Sequence, residues 1–441
     1  MNAFTLRPYQ ATLVSDVRRA FGGGARSVVM QLGTGGGKTA TASEIIRRSV
    51  ERGRRVLFAA HLDALLDDTL DRLTSAGIHA GIVQADRPSD PTAPVQVCSL
   101  ATLHCRGERP PADLVILDEC HRAMAGTVRE ILATYKDSHL LGLTATPQRG
   151  DTQPLGDVFD TMVCGPSVRE LTAHGHLVAS DVIAPPHVED EGLAMDPVAA
   201  YEAHAPGSRA IVFASNVAHA KDLARRFTER GYASEIVVGD TPREVRRTVR
   251  ARMRAGDLRV LVGVGVFVEG WDDPTIETVI LARAFSVCGS FLQAIGRGLR
   301  PSPDTGKTRC TVLDLRGAVN LHGLPDEDRV WSLGGEAVRR SERMPVLARC
   351  AECLAIFRPA ARCPRCGASA ERAAKLPRVL NRAEKLERIS GLPQWKRDER
   401  YLASLERVAT TRMRMPEHRA RAWAVSQFTK RFGREPAMRA A

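Results

Sequence analysis

No apolar run in this 441-residue sequence approaches the ~18 residues that a membrane span requires; the longest, around 260–268, has the length of a strand. Residues 1–8 lack the basic-then-apolar pattern of a secretory signal, so a cytoplasmic protein is expected. No short-period repeat is present, and no nuclease-type cluster of carboxylates with lysine is recognisable. Six of the ten cysteines (Cys98, Cys105, Cys120, Cys164, Cys288, Cys310) are scattered, which argues for thiols in a reducing compartment and against disulfides. With 44% hydrophobic and 26% charged residues, a disordered or fibrous chain is excluded.

The formal charge of +12 is unevenly spread. Residues 331–441 hold 25 Lys and Arg against 11 Asp and Glu, whereas the first 330 hold 38 against 40. A basic end on a near-neutral body points to a polyanionic partner, nucleic acid before membrane, because the end is not one amphipathic Lys-rich helix. A solvated basic surface is the plainer alternative.

Apolar runs at 27–32, 55–60, 95–99, 114–118 and 140–144 read as strands, with a helix over 39–49. A second series follows: strands at 210–214, 234–238, 260–264, 278–282 and 310–315, with helices over 217–231 and 242–255. Strands spaced by helices predict two α/β lobes, each with a parallel sheet covered on both faces. The expected division is 1–180 for the first lobe, 181–207 for a Pro-, Ala- and acid-rich linker, and 208–335 for the second lobe. A Cys-rich module at 345–370 and a basic helical end at 371–441, with helical segments at 381–390, 398–410 and 417–432, complete it.

Leu32 is followed by Gly33-Thr34-Gly35-Gly36-Gly37-Lys38-Thr39, between a predicted strand and a predicted helix. Glycines let backbone N–H groups turn inward around phosphate oxygens, and the helix N-terminus adds positive potential. In this pattern Lys38 reaches the β- and γ-phosphates of ATP and the Thr39 hydroxyl binds Mg²⁺. Leu32 stands where the usual pattern has Gly. About 80 residues on, the apolar strand 114–117 ends in Asp118 and Glu119. There Asp118 can hold the Mg²⁺ shell while Glu119 orients and deprotonates the attacking water.

Together, the phosphate loop, Asp118-Glu119-Cys120-His121 and Thr144-Ala145-Thr146-Pro147 resemble superfamily 2 helicases of the DEAD/DEAH-box kind, nearest in flavour to restriction-subunit-like and prophage members. Leu6-Arg7-Pro8-Tyr9-Gln10 is similar to their adenine-recognising segment. Glu269-Gly270-Trp271-Asp272 and Gln293-Ala294-Ile295-Gly296-Arg297-Gly298-Leu299-Arg300 are similar to their fifth and sixth motifs. The resemblance covers about residues 4–315 and implies two RecA-like lobes that hydrolyse ATP in their cleft. It implies that Gln10 reads the adenine edge, that Asp272 contacts the ribose and that Gly270 lies at the lobe seam. Arg297 and Arg300, one helical turn apart, would reach the γ-phosphate from the second lobe. His121, Thr144, Thr146 and Gln293 would couple nucleotide state to the nucleic-acid path. Phosphate-contacting segments map onto 61–65, 99–103 and 213–216, whereas Val264-Gly265-Val266 lacks the Thr or Ser of many relatives.

Cys350-x2-Cys353-x9-Cys363-x2-Cys366 has zinc-ribbon spacing, so Cys350, Cys353, Cys363 and Cys366 are the expected ligands of a structural Zn²⁺, with a rubredoxin-like iron site as the alternative. Arg349, Arg358, Arg362 and Arg365 surround it, so it either grips phosphate or only staples the fold. Trp395, Tyr401, Trp423 and Phe428 alternate with basic residues as stacking platforms do, but the spacing favours a buried helix stripe. The function expected is ATP-driven movement on nucleic acid, DNA before RNA, either separating strands or translocating on duplex as a restriction or repair motor. Protein partners are possible.

Overall fold

The computed structural model describes residues 6–61, 63–84, 87–107, 109–122, 126–147, 154–185, 192–265, 271, 273–334, 348–349, 356–357, 362, 378–379, 387–411, 413 and 415–437. In the first lobe the strands are β1 (Ser27–Gln31), β2 (Val56–Ala60), β3 (Ala80–Val83), β4 (Val95–Ser99), β5 (Leu114–Leu117), β6 (His139–Thr144) and β7 (Thr161–Cys164). Their order is β3-β4-β2-β5-β6-β1-β7, all parallel. Helices α1 (Pro8–Gly22), α2 (Lys38–Val50), α3 (Asp63–Ser75), α4 (Leu100–Arg106) and α5 (Gly126–Ala133) cover the sheet, and α6 (Val168–Ala173) leads out of it. Successive strand residues point to opposite faces: Val28 and Met30 enter one core and Val29 the other. Burial on both faces explains why these strands read as unbroken apolar runs.

The second lobe has β8 (Ala179–Ala184), β9 (Gly192–Leu193), α7 (Pro197–His204), β10 (Ala210–Phe213), α8 (Val217–Glu229), β11 (Ser234–Val237), α9 (Arg243–Ala255), β12 (Val260–Gly263), β13 (Thr278–Leu281), α10 (Cys288–Gly296), β14 (Arg309–Asp314) and α11 (Val319–His322). Its sheet runs β11-β12-β10-β13-β14-β8, parallel throughout. Beyond it, β15 (Ala348–Arg349) pairs with β16 (Ile356–Phe357), and β17 (Arg378–Val379) runs beside β9. A short β18 (Glu387–Arg388) then adds antiparallel to the free edge of β8. Helices α12 (Gln394–Thr411) and α13 (Glu417–Phe432) close the chain. Among the described residues no helix is long and apolar enough to cross a membrane.

Two expected boundaries move. Much of the segment read as a linker, 181–207, belongs to the second lobe: β8 pairs with β14 from Ala179 to Ile183, and Tyr201 of α7 is fully buried. Residues 387–388, expected to be helical, are strand, because the unpaired edge of β8 takes their hydrogen bonds. The basic end is docked on the second lobe rather than separate from it. Tyr401, Phe428 and Phe432 form a buried cluster between α12 and α13, as the stripe reading expected for the phenylalanines. Arg431 Nη1 donates to Leu321 O of α11 at 3.2 Å and to the Tyr401 hydroxyl at 2.9 Å.

Candidate active site

The phosphate-loop sequence turns sharply between β1 and α2. Gly35 and Gly37 take φ of 85° and 89°, the left-handed region that costs a side chain energy. At Gly37 a Cβ would stand 2.3 Å from Gln10 Nε2. Thus the loop's shape and its backing from α1 demand the same residue. The Tyr9 hydroxyl donates to Gly36 O at 2.7 Å, Gln10 Nε2 donates to the same carbonyl at 3.2 Å, and Gln10 Oε1 accepts the Arg7 N–H at 2.9 Å. Both ends of the Gln10 carboxamide are therefore engaged within the chain. Gln10 buttresses the loop from behind in addition to any contact it makes with a base. Sequence reading quoted Tyr9 in the adenine-type segment but gave a role only to Gln10, and it passed over His176; the Tyr9 and His176 rings meet at a centroid distance of 5.2 Å.

At the end of β5, Glu119 has φ of 47°, the one left-handed non-glycine among the described residues. Such backbone strain, on the order of 1–3 kcal/mol, persists where surrounding contacts over-determine the conformation. The contacts are on both sides. Lys38 Nζ lies 3.8 Å from Glu119 Oε1, and His121 Nδ1 lies 3.3 Å from Oε2. From the second lobe, Gln293 Nε2 donates to Oε2 at 3.1 Å. Burial raises the Glu119 carboxyl pKa, but Lys38, the hydrogen bond and charge of His121, and Arg297 outweigh it and hold the value at about 2. Glu119 is a buried anion gripped from both lobes.

The network continues past His121. Its Nδ1 stands 3.3 Å from Thr144 Oγ1, which donates to Thr146 O at 2.9 Å and accepts the Thr146 N–H at 3.1 Å. The residues expected to couple the site to its surroundings, His121, Thr144, Thr146 and Gln293, thus form one connected set with Glu119.

The helix α10 that carries Gln293 ends at Gly296, so Arg297 and Arg300 do not sit on one regular helical turn. Close packing explains the two glycines there: a Cβ on Gly298 would stand 2.3 Å from Cys310 Sγ, and one on Gly296 would stand 2.4 Å from Thr34 Cβ. The arginines reach the site all the same. Arg297 is buried, with Nη1 donating to Trp271 O at 3.0 Å, and its charge acts on Glu119. Arg300 Cγ comes within 3.5 Å of the place a Cβ on Gly35 would occupy, beside the phosphate loop.

Thr39 lies in the first turn of α2, and Asp118 follows β5, where its Oδ1 accepts the Glu119 N–H at 3.0 Å. A hydroxyl and a carboxylate are the hard oxygen donors that Mg²⁺ prefers, so these residue types fit that ion. Gly270, Asp272 and the four clustered cysteines, Cys350, Cys353, Cys363 and Cys366, lie outside the described residues. Among the described residues there is no group of three or more His, Cys, Asp or Glu able to hold a metal.

A second bridge between the lobes left no signal in the sequence. Arg243, first residue of α9, places Nη1 3.0 Å from Asp67 Oδ2 of α3, and Arg87 pairs with the other oxygen of that carboxylate. Of the segments expected to meet nucleic acid, Asn216 uses its side-chain oxygen to cap α8, accepting the His219 N–H at 2.9 Å.

Comparison with known proteins places the same two lobes in other chains. Residues 3–149 match the family described as Type III restriction enzyme, res subunit, and residues 195–302 match the helicase conserved C-terminal domain. A 51.5 kDa protein of Lactococcus phage (isolate 7-9) is 28% identical over 75% of this chain and 75% of its own. The candidate ATP-dependent helicase IRC3 of Saccharomyces cerevisiae is 24% identical over 73% of this chain and 52% of its own, so the chain spans about half that relative's length. A fragment of a candidate HsdR subunit of a type I restriction enzyme from Vibrio vulnificus YJ016 shares the fold, with TM-score 0.59 and 21% identity over 73% of this chain and 66% of its own.

Proposed function

Taking as premise that the chain is a superfamily 2 ATP-dependent helicase of the restriction-subunit kind, we propose that it hydrolyses ATP between its lobes to drive movement along DNA. The observation that carries this reading is Glu119, held at once by Lys38 and His121 of the first lobe and by Gln293 of the second. A base shared by both lobes lets their closure control hydrolysis and lets hydrolysis release their closure.

In the proposed reaction, Lys38 and the amides of Gly33, Thr34, Gly35, Gly36 and Gly37 bind the phosphates. Thr39 and Asp118 would hold Mg²⁺, which when bound neutralises phosphate charge. Glu119 takes a proton from water as its oxygen attacks the γ-phosphorus. The bond to the β-phosphate oxygen breaks, and ADP leaves with that oxygen. Arg297 and Arg300 stabilise the charge spread over the transferring group. Gln10 reads the base edge, and Gly270 and Asp272 complete the seam and ribose contacts. His121, Thr144, Thr146 and Gln293 pass the state of the site to the nucleic-acid path.

DNA is favoured because an Escherichia coli relative, 24% identical over 71% of this chain, is named as a subunit of the type I restriction enzyme EcoAI. The same likeness supports a second reading, a motor that tracks duplex DNA without separating it and works beside protein partners. One assay decides. ATP hydrolysis is measured with single-stranded DNA, duplex DNA and RNA, alongside strand displacement on tailed duplexes of both polarities. Stimulation by DNA with displacement is expected, and Lys38→Ala abolishes both. Stimulation by duplex without displacement selects the tracking motor, stimulation by RNA alone overturns the DNA assignment, and full turnover by Lys38→Ala overturns the site.

We also propose that the four clustered cysteines hold a structural Zn²⁺, since paired CxxC turns supply four thiolates to a segment too short for a core of its own. Metal analysis of the full chain is expected to find one zinc, lost in Cys363→Ser. Iron in its place would make the site rubredoxin-like, and a metal-free preparation would end the proposal.

A further inference from the structure

The helices that hold the phosphate loop at their N-termini also enclose a groove at their other ends. Helix α1 begins next to Tyr9 and Gln10 and runs through Val14, Val17 and Phe21; α2 begins at Lys38 and runs through Ile45 and Ser49. Between their far ends lies a cavity of about 190 Å³, floored by Val14, Val17, Ile45 and Leu114, with Phe21 and His139 along one wall. Leu114 and His139 are the first residues of β5 and β6, so the groove opens at the opposite edge of the sheet from Glu119. The 13 residues of α2 separate the two places by about 20 Å.

The rim is cationic. Arg18, Arg52 and Arg54 are exposed, and among the described residues no carboxylate pairs with any of them. Arg48 also lines the groove but is engaged by Glu44 at 2.6 Å. The one acid at the rim, Asp113, accepts the Arg55 N–H at 2.8 Å. A volume of 190 Å³ falls below the ~300–1,000 Å³ of pockets for drug-sized ligands and suits a single large side chain. The two rings in the groove wall, Phe21 and His139, pack edge to face on each other at a centroid distance of 4.9 Å and are not laid out side by side as the stacking platform of a nucleic-acid site. Guanidiniums around an apolar floor instead match carboxylates around an apolar anchor, because Arg pairs with carboxylate bidentately.

We propose that this groove docks a segment of a partner protein that presents one bulky apolar side chain flanked by Asp and Glu. Docking there leaves the nucleotide loop and the far sheet edge open, so partner and nucleotide can be bound together. Because α1 and α2 form both the groove walls and the backing of the phosphate loop, the partner bears directly on the elements that hold nucleotide.

The test selects displayed random dodecapeptides on the full-length protein, with counter-selection on the Arg18→Glu/Arg52→Glu/Arg54→Glu variant. The recovered peptides are expected to carry a Leu, Phe or Trp among several acids. A synthetic, fluorescein-labelled version should bind at least tenfold more weakly to the variant, and again when its apolar anchor is changed to Ser. Its affinity should fall with added salt and persist under saturating ATP. Variant folding is checked by ATP turnover without nucleic acid, which these three positions do not touch. Recovery of basic or purely polar peptides, no enrichment over the variant, or equal binding by both proteins would overturn the proposal. So would a tenfold loss of affinity for a dT12 oligonucleotide in the variant without loss of peptide binding, which would make the rim a nucleic-acid seat.

Discussion

Glu119→Gln is expected to bind ATP and nucleic acid normally yet turn ATP over about 10²–10⁴-fold more slowly, the usual range for removing a positioned general base. Gln matches Glu in shape and can still meet His121 and Gln293, so the loss isolates the missing anion. The carboxyl at about 2 sits below its ordinary value of 4.5. A depressed acid of this kind contributes stability that is present above the unfolded value and is lost as pH falls through the folded one. Glu119 is therefore ionised throughout the pH range in which the enzyme works. An acid limb of the rate profile between pH 5 and 7 cannot come from its protonation, and wild type and Glu119→Gln should share whatever limb appears. Phosphate release and fluorescent-nucleotide binding measured side by side check this. A variant that turns over within tenfold of wild type would remove Glu119 from the base role.

Strands buried on both faces were legible because their residues admit no other placement: 114–117 is four apolar residues ending in two acids, and it is found as β5. The segment 181–207 misled because its composition is that of a loop, while its structure depends on partners distant in sequence. Asp181 sits within β8, and Arg309 on the adjacent strand offsets its charge by binding it through two nitrogens at 2.6 and 2.7 Å. Pro197, which counted toward a linker, opens α7 as a first-turn proline behind Asp196, whose carboxylate caps the helix by accepting the N–H groups of Val198 and Ala199. The site divides the same way. The phosphate loop and the acid pair are local patterns, whereas Tyr9 under Gly36 and Arg243 against Asp67 are contacts between distant segments, each residue ordinary in its own stretch. The spacing of Arg297 and Arg300 on one turn was a helical inference. The helix ends at Gly296 before that turn is complete, and the close approaches of Thr34 to Gly296 and of Cys310 to Gly298 were beyond reach of a local pattern.

Arg297→Ala is the counterpart of the Glu119 experiment on the other lobe, and its expected loss is larger, on the order of 10³–10⁵ in kcat, as for an arginine that stabilises a transferring phosphoryl group. Arg297 is buried, its Nη1 is fixed on Trp271 O at 3.0 Å, and its charge is felt at Glu119. A buried cation so anchored keeps its geometry as nucleotide arrives, and the charge it meets is greatest in the transition state. The expected signature is a fall in kcat with little change in the KM for ATP. Arg297→Lys restores charge without the planar fork that could hold Trp271 O and a phosphate oxygen together, so it should recover only part of the rate. Arg300→Ala, beside Gly35, should show a larger share of its loss in KM, because that side chain lies against the loop proposed to bind the phosphates in the ground state. Steady-state kinetics of the three variants separate these roles. If Arg297→Ala loses less than tenfold in kcat while Arg300→Ala loses the rate, the two assignments exchange. If neither variant is impaired, the second lobe supplies no charge to the reaction, and the cleft between the lobes is not where ATP is cleaved.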